Sequence, residues 1–388
     1  MKIAGIIAEY NPFHEGHAYH IAQTRTQTGC DHVVVCMAGS FTQRGEAACV
    51  DKWSRAHAAL CCGADAVFEL PALFAVRTAD IFARGGVAIL SALGCDYLSF
   101  GCETNDISFI SRLAELRANE PKALSEAIRS KLDAGMSHAR ARGEAVAEML
   151  NVPKEQLNAP NLALAVEYLR AVNELKSDIQ PLIVARRGEY HSRNLQDYAS
   201  ATAIREALQR GDESVADHMP ERARFQLEHA GKMHEMDDLL LCRLREMGAK
   251  GIAELPDVNE GLEDRVYAAA MQSASRDELI ARVKCKRYTC ARVSRLCAHA
   301  LLGITGDIVS RHPLPEYARL IGLRTDATTL MREIGCRAGL PILSDATRLR
   351  GNEIFDAECR ATDLRALLCD EPEERRGGAE FTRKFVRV

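Results

Sequence analysis

The first 210 residues alternate short apolar runs with segments whose apolar residues recur at a period near 3.6. Runs at residues 2–8, 32–37, 66–70, 97–100 and 181–185 have the length and composition of buried strands. Between them, residues 51–62, 78–93 and 162–175 carry helical spacing. Such alternation predicts an α/β fold, a parallel sheet crossed by helices. Ligands of such sheets sit outside the carboxyl ends of the strands. Those ends hold the unusual residues here: Asn11-Pro12-Phe13-His14, Gly39-Ser40-Phe41, Phe100-Gly101-Cys102-Glu103 and Arg186-Arg187-Gly188.

The first strand runs into a polar turn, then His14-Glu15-Gly16-His17 and a segment that can be helical. Backbone N–H groups at a helix start attract anions. His14 and His17 add imidazole donors there, and Gly16 allows close approach of a nucleotide. Phosphate chemistry on ATP needs this kind of positioning and charge stabilisation. A second element follows the last strand, Ser200-Ala201-Thr202-Ala203-Ile204-Arg205. Ser200 suits a helix N-cap, and Arg205 one turn in suits a phosphate clamp. The two elements flank the alternating region and together predict nucleotidylyl chemistry, with His14 and His17 catalytic. Magnesium is expected with ATP, held mainly by phosphates and water, because the sequence offers no carboxylate cage.

A chain of 388 residues suggests two domains, or one large domain with an appendage. We expect a nucleotide domain over residues 1–210, with a charged helical insertion at about 106–156. Residues 211–388 read as a mostly α-helical C-terminal domain. No apolar run reaches membrane-spanning length, and the apolar N-terminus is too short for a signal segment. A cytoplasmic protein without membrane contact is expected. The net charge of −4 excludes a globally basic nucleic-acid coat. Any RNA contact needs a local patch, and residues 281–300 contain six Lys or Arg and no acid. Lys284, Lys286, Arg287, Arg292 and Arg295 are the candidates, with Tyr288 as a base-stacking side chain. Arg383, Lys384 and Arg387 could extend that surface. Asp51 suits an N-cap, while Lys52 and Arg55 read as a solvated helical turn that could also face RNA. The 14 cysteines include no Cys-x-x-Cys pair. Cys285, Cys290, Cys297 and His299 match no usual zinc spacing.

His14-Glu15-Gly16-His17 resembles the His-x-Gly-His signature of the nucleotidylyltransferase superfamily, which includes class I aminoacyl-tRNA synthetases. A longer series of segments is similar to the bacterial tRNA(Met) cytidine acetate ligase family. It comprises residues 9–20, Gly39-Ser40-Phe41-Thr42-Gln43-Arg44-Gly45-Glu46, Asp51-Lys52-Trp53-Ser54-Arg55, residues 63–71, Phe100-Gly101-Cys102-Glu103 and Pro160-Asn161. Residues 187–192, 200–205, 288–295 and 301–305 continue it in order. Two positions depart from the family: Cys102 stands where Ser is common, and the Gly-rich stretch near Gly188 is shorter.

The resemblance implies a Rossmann-like domain that activates acetate with ATP and acetylates the wobble cytidine of elongator tRNA(Met). No obligatory protein partner is expected. It implies ATP contacts at Ile7, Ala8, Glu9, Tyr10, Asn11, Pro12, Phe13, Gly16 and His20. Further contacts are implied at Gly101, Asn161, Arg186, Arg187, Ser200, Thr202 and Arg205. From the residues alone, Gly101 also reads as a turn glycine, Asn161 as the N-cap of the 162–175 helix, and Arg187 as a solvated strand-end charge. Three alternatives stay open at this point. An adenylyltransferase acting on a small phosphate would not need the roughly 180 residues beyond the sheet domain. A synthetase would carry a Lys-rich loop where this chain has Ser200 to Arg205. A non-catalytic, nucleotide-sensing RNA-binding protein would not need both histidines.

Overall fold

A computed structural model describes residues 1–185, 200–230 and 236–388. The strands are β1 (Ile3–Ala8), β2 (His32–Ala38), β3 (Ala66–Leu70), β4 (Tyr97–Cys102), β5 (Gln180–Ala185), β6 (Ala318–Leu323), β7 (Ile342–Leu343) and β8 (Val386–Arg387). They form one sheet in the order β5-β4-β1-β2-β3-β6-β7, with β8 paired to β6. β1 to β5 are mutually parallel. The connection order reverses between β1 and β4, which makes that crevice the expected ligand position.

The five expected strands all form, and their continuous apolar runs have a simple cause. Val34, Cys36 and Ala38 of β2 enter one core cluster, while Val33, Val35 and Met37 enter the cluster on the opposite face. A parallel strand covered on both sides has no solvent-facing positions to make polar.

Helices α1 (Glu15–Thr28), α2 (Lys52–Cys61), α3 (Ala72–Ala75) and α4 (Ala79–Ala92) connect the first four strands. Between β4 and the next long helix lie α5 (Ile107–Ala118), α6 (Lys122–Asp133), α7 (His138–Leu150) and α8 (Lys154–Leu157). α9 (Pro160–Glu174) packs on α4 and leads to β5, and α10 (Ala201–Gln209) follows. α11 (Asp237–Ala253), α12 (Leu262–Gln272), α13 (Arg276–Val283) and α14 (Cys290–Leu302) share a separate apolar core that includes Leu244, Val266, Leu279 and Leu296. Beyond them lie α15 (Gly306–Arg311), α16 (Thr328–Arg337), α17 (Glu353–Leu367) and α18 (Ala379–Thr382). No helix among the described residues is long and apolar enough to cross a membrane.

Two expectations are corrected here. The region after residue 211 is mostly helical but not a separate helical domain, because β6, β7 and β8 return to the sheet. β6 lies antiparallel on β3 and covers what would otherwise be an open strand edge.

The second correction concerns Lys52 and Arg55, which are completely buried rather than solvated. Asp51 is the N-cap of α2, accepting from Ser54 N at 2.9 Å, and the turn behind it points into the protein. Lys52 Nζ reaches Glu358 at 3.0 Å and also contacts Glu69 and Glu380. Arg319 of β6 pairs with Glu69 at 2.9 Å and with Glu380. These three carboxylates are the only grouping of metal-type ligands among the described residues. An ammonium already sits among them. Cys285, Cys290, Cys297 and His299 form no such group, and His299 Nε2 lies 2.6 Å from the Val76 carbonyl. Arg55 bonds the carbonyls of Val50, Glu9 and Ala38 at 2.9, 2.6 and 3.1 Å, and that of Gly39. It therefore fixes the carboxyl ends of β1 and β2 from below.

Candidate active site

β1 ends at Ala8, and the chain turns through Glu9 to Phe13 before α1 begins. The helix start is closed by its own histidines. His14 is the N-cap, and its Nδ1 accepts from Gly16 N at 3.1 Å. His17 Nδ1 accepts from His14 N at 3.2 Å. The two rings lie with centroids 3.8 Å apart. A side chain at Gly16 would meet the His14 ring at 2.9 Å, so glycine there is what allows the cap. In both neutral rings the accepting Nδ1 leaves the proton on Nε2. Each imidazole is thereby preset as a hydrogen-bond donor. This modifies the expectation of bare backbone N–H groups, because the rings occupy the Gly16 and His14 N–H groups and offer Nε2–H instead.

A cavity of about 450 Å³ opens outside the carboxyl ends of β1, β4 and β5, within the usual range for small-molecule sites. Ile7, Ala8, Glu9, Tyr10 and Asn11 line it from the β1 side, with His14, Gly16, His17 and His20 from α1. Gly101 lines it from β4, Asn161 from α9, and Ser200, Thr202 and Arg205 from the start of α10. Residues up to 198 positions apart in the expected set thus meet around one space. Pro12 and Phe13 do not reach it. Phe13 is fully buried, stacks edge-on to Tyr10 at 4.9 Å and accepts at its carbonyl from Gln226 Nε2 at 3.5 Å. It supports the turn from behind. Arg186 and Arg187 lie outside the described residues.

Each lining residue has a local reason for its place. Ser200 is the N-cap of α10, its Oγ accepting from Ala203 N at 3.1 Å. Arg205 Nη1 donates to the Asn11 carbonyl at 2.8 Å, and Nη2 lies 3.4 Å from Thr202 Oγ1. His20 Nε2 lies 3.0 Å from Ser99 Oγ of β4, which holds α1 against the sheet. Asn161 is not the N-cap of its helix. Pro160 takes the first helical position and starts α9 two residues earlier than expected, with Ala159 as cap. Asn161 instead donates from Nδ2 to Glu103 at 2.6 Å. Cys102 is buried and does not line the cavity, so that departure from the family stays outside the site.

Thr42, Gln43, Arg44 and Glu46, from the loop after β2, also line the cavity, and the sequence assigned them no role there. The signal was available, because β2 is parallel to β1 and its carboxyl end opens on the same side. Gln43 N donates to Glu9 Oε1 at 2.7 Å, and Gln43 Nε2 to the Arg77 carbonyl at 2.8 Å. Burial pushes the Glu9 carboxyl above its usual range, against the opposing pull of Gln43 N–H, Arg205, Arg44 and Arg55. The same loop touches the helical module. Gly45 adopts φ +76° and its backbone lies so close to α14 that a Cβ would meet Arg295 Cα at 2.9 Å. Ser294 Oγ donates to the Arg44 carbonyl at 2.5 Å.

The basic segment divides in two. Lys284, Lys286 and Arg287 are exposed, with Arg287 paired to Glu260 at 3.0 Å. Arg292 bonds the Asp257 carbonyl at 2.6 Å and Asn259 at 2.8 Å. Arg295 is half-buried beside Asp257 and Arg77, its ionisation lowered first by burial. Tyr288 is buried and gives its hydroxyl to the Glu260 carbonyl at 3.3 Å, so it is not a platform for base stacking.

Fold and site together define a nucleotidyl transferase of the His-x-Gly-His class. A sequence model of the family described as HIGH Nucleotidyl Transferase matches residues 1–380. A tRNA(Met) cytidine acetate ligase from Acetivibrio thermocellus is 34% identical over 414 aligned positions, covering 100% of both chains. One from Clostridium kluyveri is 35% identical, covering 95% of each. The crystal structure of Thermotoga maritima TmcAL in apo form I superposes with a TM-score of 0.92 at 30% identity, over 100% of both chains. Form II, bound with alpha-thio ATP, gives 0.90 at 30% identity, again over 100% of both chains. The chain belongs to the tRNA(Met) cytidine acetate ligase family.

Proposed function

We propose that this protein condenses acetate with ATP to give acetyl-adenylate and pyrophosphate. It then transfers the acetyl group to the wobble cytidine of elongator tRNA(Met), forming N4-acetylcytidine. The observation that carries this reading is the pair of histidine rings whose Nδ1 atoms are occupied by backbone N–H groups at the edge of a nucleotide-sized cavity. Their Nε2–H edges hydrogen-bond the phosphates and stabilise the charge that grows during adenylation. Arg205, held against the same turn through the Asn11 carbonyl, also binds the phosphates. The strand-end residues Ile7, Ala8 and Gly101 give the nucleotide a close backbone surface, and Asn161 adds a polar contact. Arg186 and Arg187 belong to the same proposal by resemblance.

Magnesium enters with ATP and neutralises phosphate charge. Glu9 and Glu46 are the only carboxylates among the described lining residues, which suits an ion carried mainly by phosphates and water. Lys284, Lys286 and Arg287 contact tRNA phosphates, while Arg292 and Arg295 shape the surface behind them. Residues 1–210 form the ATP-binding part and the module over 237–302 the tRNA-facing part. The protein acts in the cytoplasm.

ATP–pyrophosphate exchange with acetate as the sole carboxylate tests activation, and mass spectrometry of tRNA(Met) tests transfer. Acetate-dependent exchange and a mass gain at the wobble cytidine are expected. Exchange that ignores acetate, with or without tRNA, would overturn the reading.

A further inference from the structure

Acetyl transfer poses a chemical problem that activation does not solve. The exocyclic amine of cytidine is a weak nucleophile because its lone pair is delocalised into the ring. As it attacks the acetyl carbonyl, its N–H becomes strongly acidic, and a base must take the proton.

The titratable groups lining the cavity include His14, His17, His20, Tyr168, Glu46 and Glu9. His14 and His17 are fixed as Nε2–H donors by their occupied Nδ1 atoms, so neither is a base toward the cavity. His20 is engaged with Ser99. Tyr168 is buried, and burial raises its phenol far above the physiological range. Glu9 is different. It stands directly after the carboxyl end of β1, beside the turn that carries the histidines. Its Oε1 is held at 2.7 Å by Gln43 N, and the Gln43 side chain is itself anchored to the Arg77 carbonyl. A base must be positioned first and tuned second, and this carboxylate is positioned by a strand end and a braced loop.

We propose that Glu9 is the general base of acetyl transfer, accepting the proton of the cytidine N4 amine as it attacks acetyl-adenylate. The assignment rests on the acetyl-transfer reading above. The amine lone pair forms the N–C bond to the acetyl carbon. The bond from that carbon to the phosphate oxygen breaks, and AMP leaves with the electron pair. The amine proton passes to the Glu9 carboxylate and from there to water. Burial makes this carboxylate a stronger base than an exposed one, and the loop after β2 holds it in line.

The test supplies isolated acetyl-adenylate and tRNA(Met) to the full-length protein and measures single-turnover transfer, with acetate-dependent exchange measured in parallel. Glu9→Gln is expected to slow transfer about 10²–10³-fold, and to slow exchange far less. Glu9→Asp should recover part of the transfer rate. Wild-type transfer should rise with pH to a plateau, and E9Q should lose that rising limb. The charged and titratable groups facing Glu9 are Arg55 of α2, Arg44 of the β2–α2 loop, Arg205 of α10 and Tyr168 of α9. A rising limb that survives in E9Q would assign the base elsewhere and overturn the proposal. Equal losses in exchange and transfer would also overturn it, as would a transfer defect in Glu46→Gln but not in E9Q. Wild-type protein that fails to transfer from acetyl-adenylate would overturn the acetyl-transfer reading itself, and Glu9's role with it.

Discussion

The Arg205 guanidinium donates to the Asn11 carbonyl at 2.8 Å and joins residues 194 positions apart. The start of α10 is thereby locked to the turn after β1, and one face of the cavity is closed by a charged group whose direction is set. Replacing Arg205 with Ala should lower kcat/KM for exchange by about 10²–10³-fold, the usual cost of one preorganised charge donor. Lys at this position should recover little, because an ammonium cannot bridge both contacts. Exchange kinetics and a thermal melt measured together would separate lost catalysis from lost fold.

His14 serves as both helix cap and donor, and the two roles are separable. His14→Asn keeps an N-cap side chain, so the melting temperature should stay near wild type while exchange falls by about 10²-fold or more. His14→Ala should lose the same activity and in addition about 1 kcal/mol of stability. An H14N protein with normal exchange would remove His14 from the chemistry.

Lys52 is surrounded by Glu69, Glu358 and Glu380 with no exposed surface. Removing a buried cation leaves carboxylates without compensation. Lys52→Met should cost about 3–5 kcal/mol in denaturant unfolding. A change below about 1 kcal/mol would mean that the cluster is held by Arg319 alone.

The same cluster sets a pH dependence. Burial, reinforced by Glu69, pushes the Glu358 carboxyl up. Burial alone would also raise Glu69, but Lys52 and Arg319 outweigh it and hold Glu69 below its usual range. A raised carboxyl binds a proton in the folded protein that the unfolded chain releases. Its contribution is full below the unfolded pKa and is lost as pH rises through the folded value. The Glu69 contribution runs the other way, present above the ordinary carboxylate range and lost on acidification. Stability should therefore fall on both sides of a mildly acidic maximum. Glu358→Gln should flatten the alkaline side, as read from melting temperature against pH.

Lys284 and Lys286 are the exposed lysines of the basic segment. Reversing both to Glu should raise the tRNA concentration needed for half-maximal transfer at least tenfold. It should also reduce the dependence of log affinity on log salt by roughly 1.5 to 2. An unchanged slope would place the RNA on another surface.

Single residues show what could be read in advance. The β1 run, its turn and the 200–205 segment announced themselves because strand alternation and helix caps are local properties. Asp51 and Ser200 were legible as caps for the same reason. Lys52 and Arg55 were not, because a charged helical turn looks solvated until its partners are known. Lys52 finds Glu358 and Glu380 from 306 and 328 positions away. The strand at β6 was missed because Arg319 breaks its apolar run, and only the buried Glu69 and Glu380 make that charge acceptable. Tyr288 read as a stacking residue because burial cannot be seen in a basic segment.

The sequence by itself determined the strand–helix alternation, the capped starts of α2 and α10, and the two elements that flank the cavity. These follow from periodicity and short-range hydrogen bonding. Only the tertiary structure decided that Gln43 would hold Glu9, that Arg205 would reach Asn11, and that the C-terminal strands would close the sheet edge. Those contacts join residues 34 to 257 positions apart. They depend on where a packed sheet places its carboxyl ends, which no local pattern encodes.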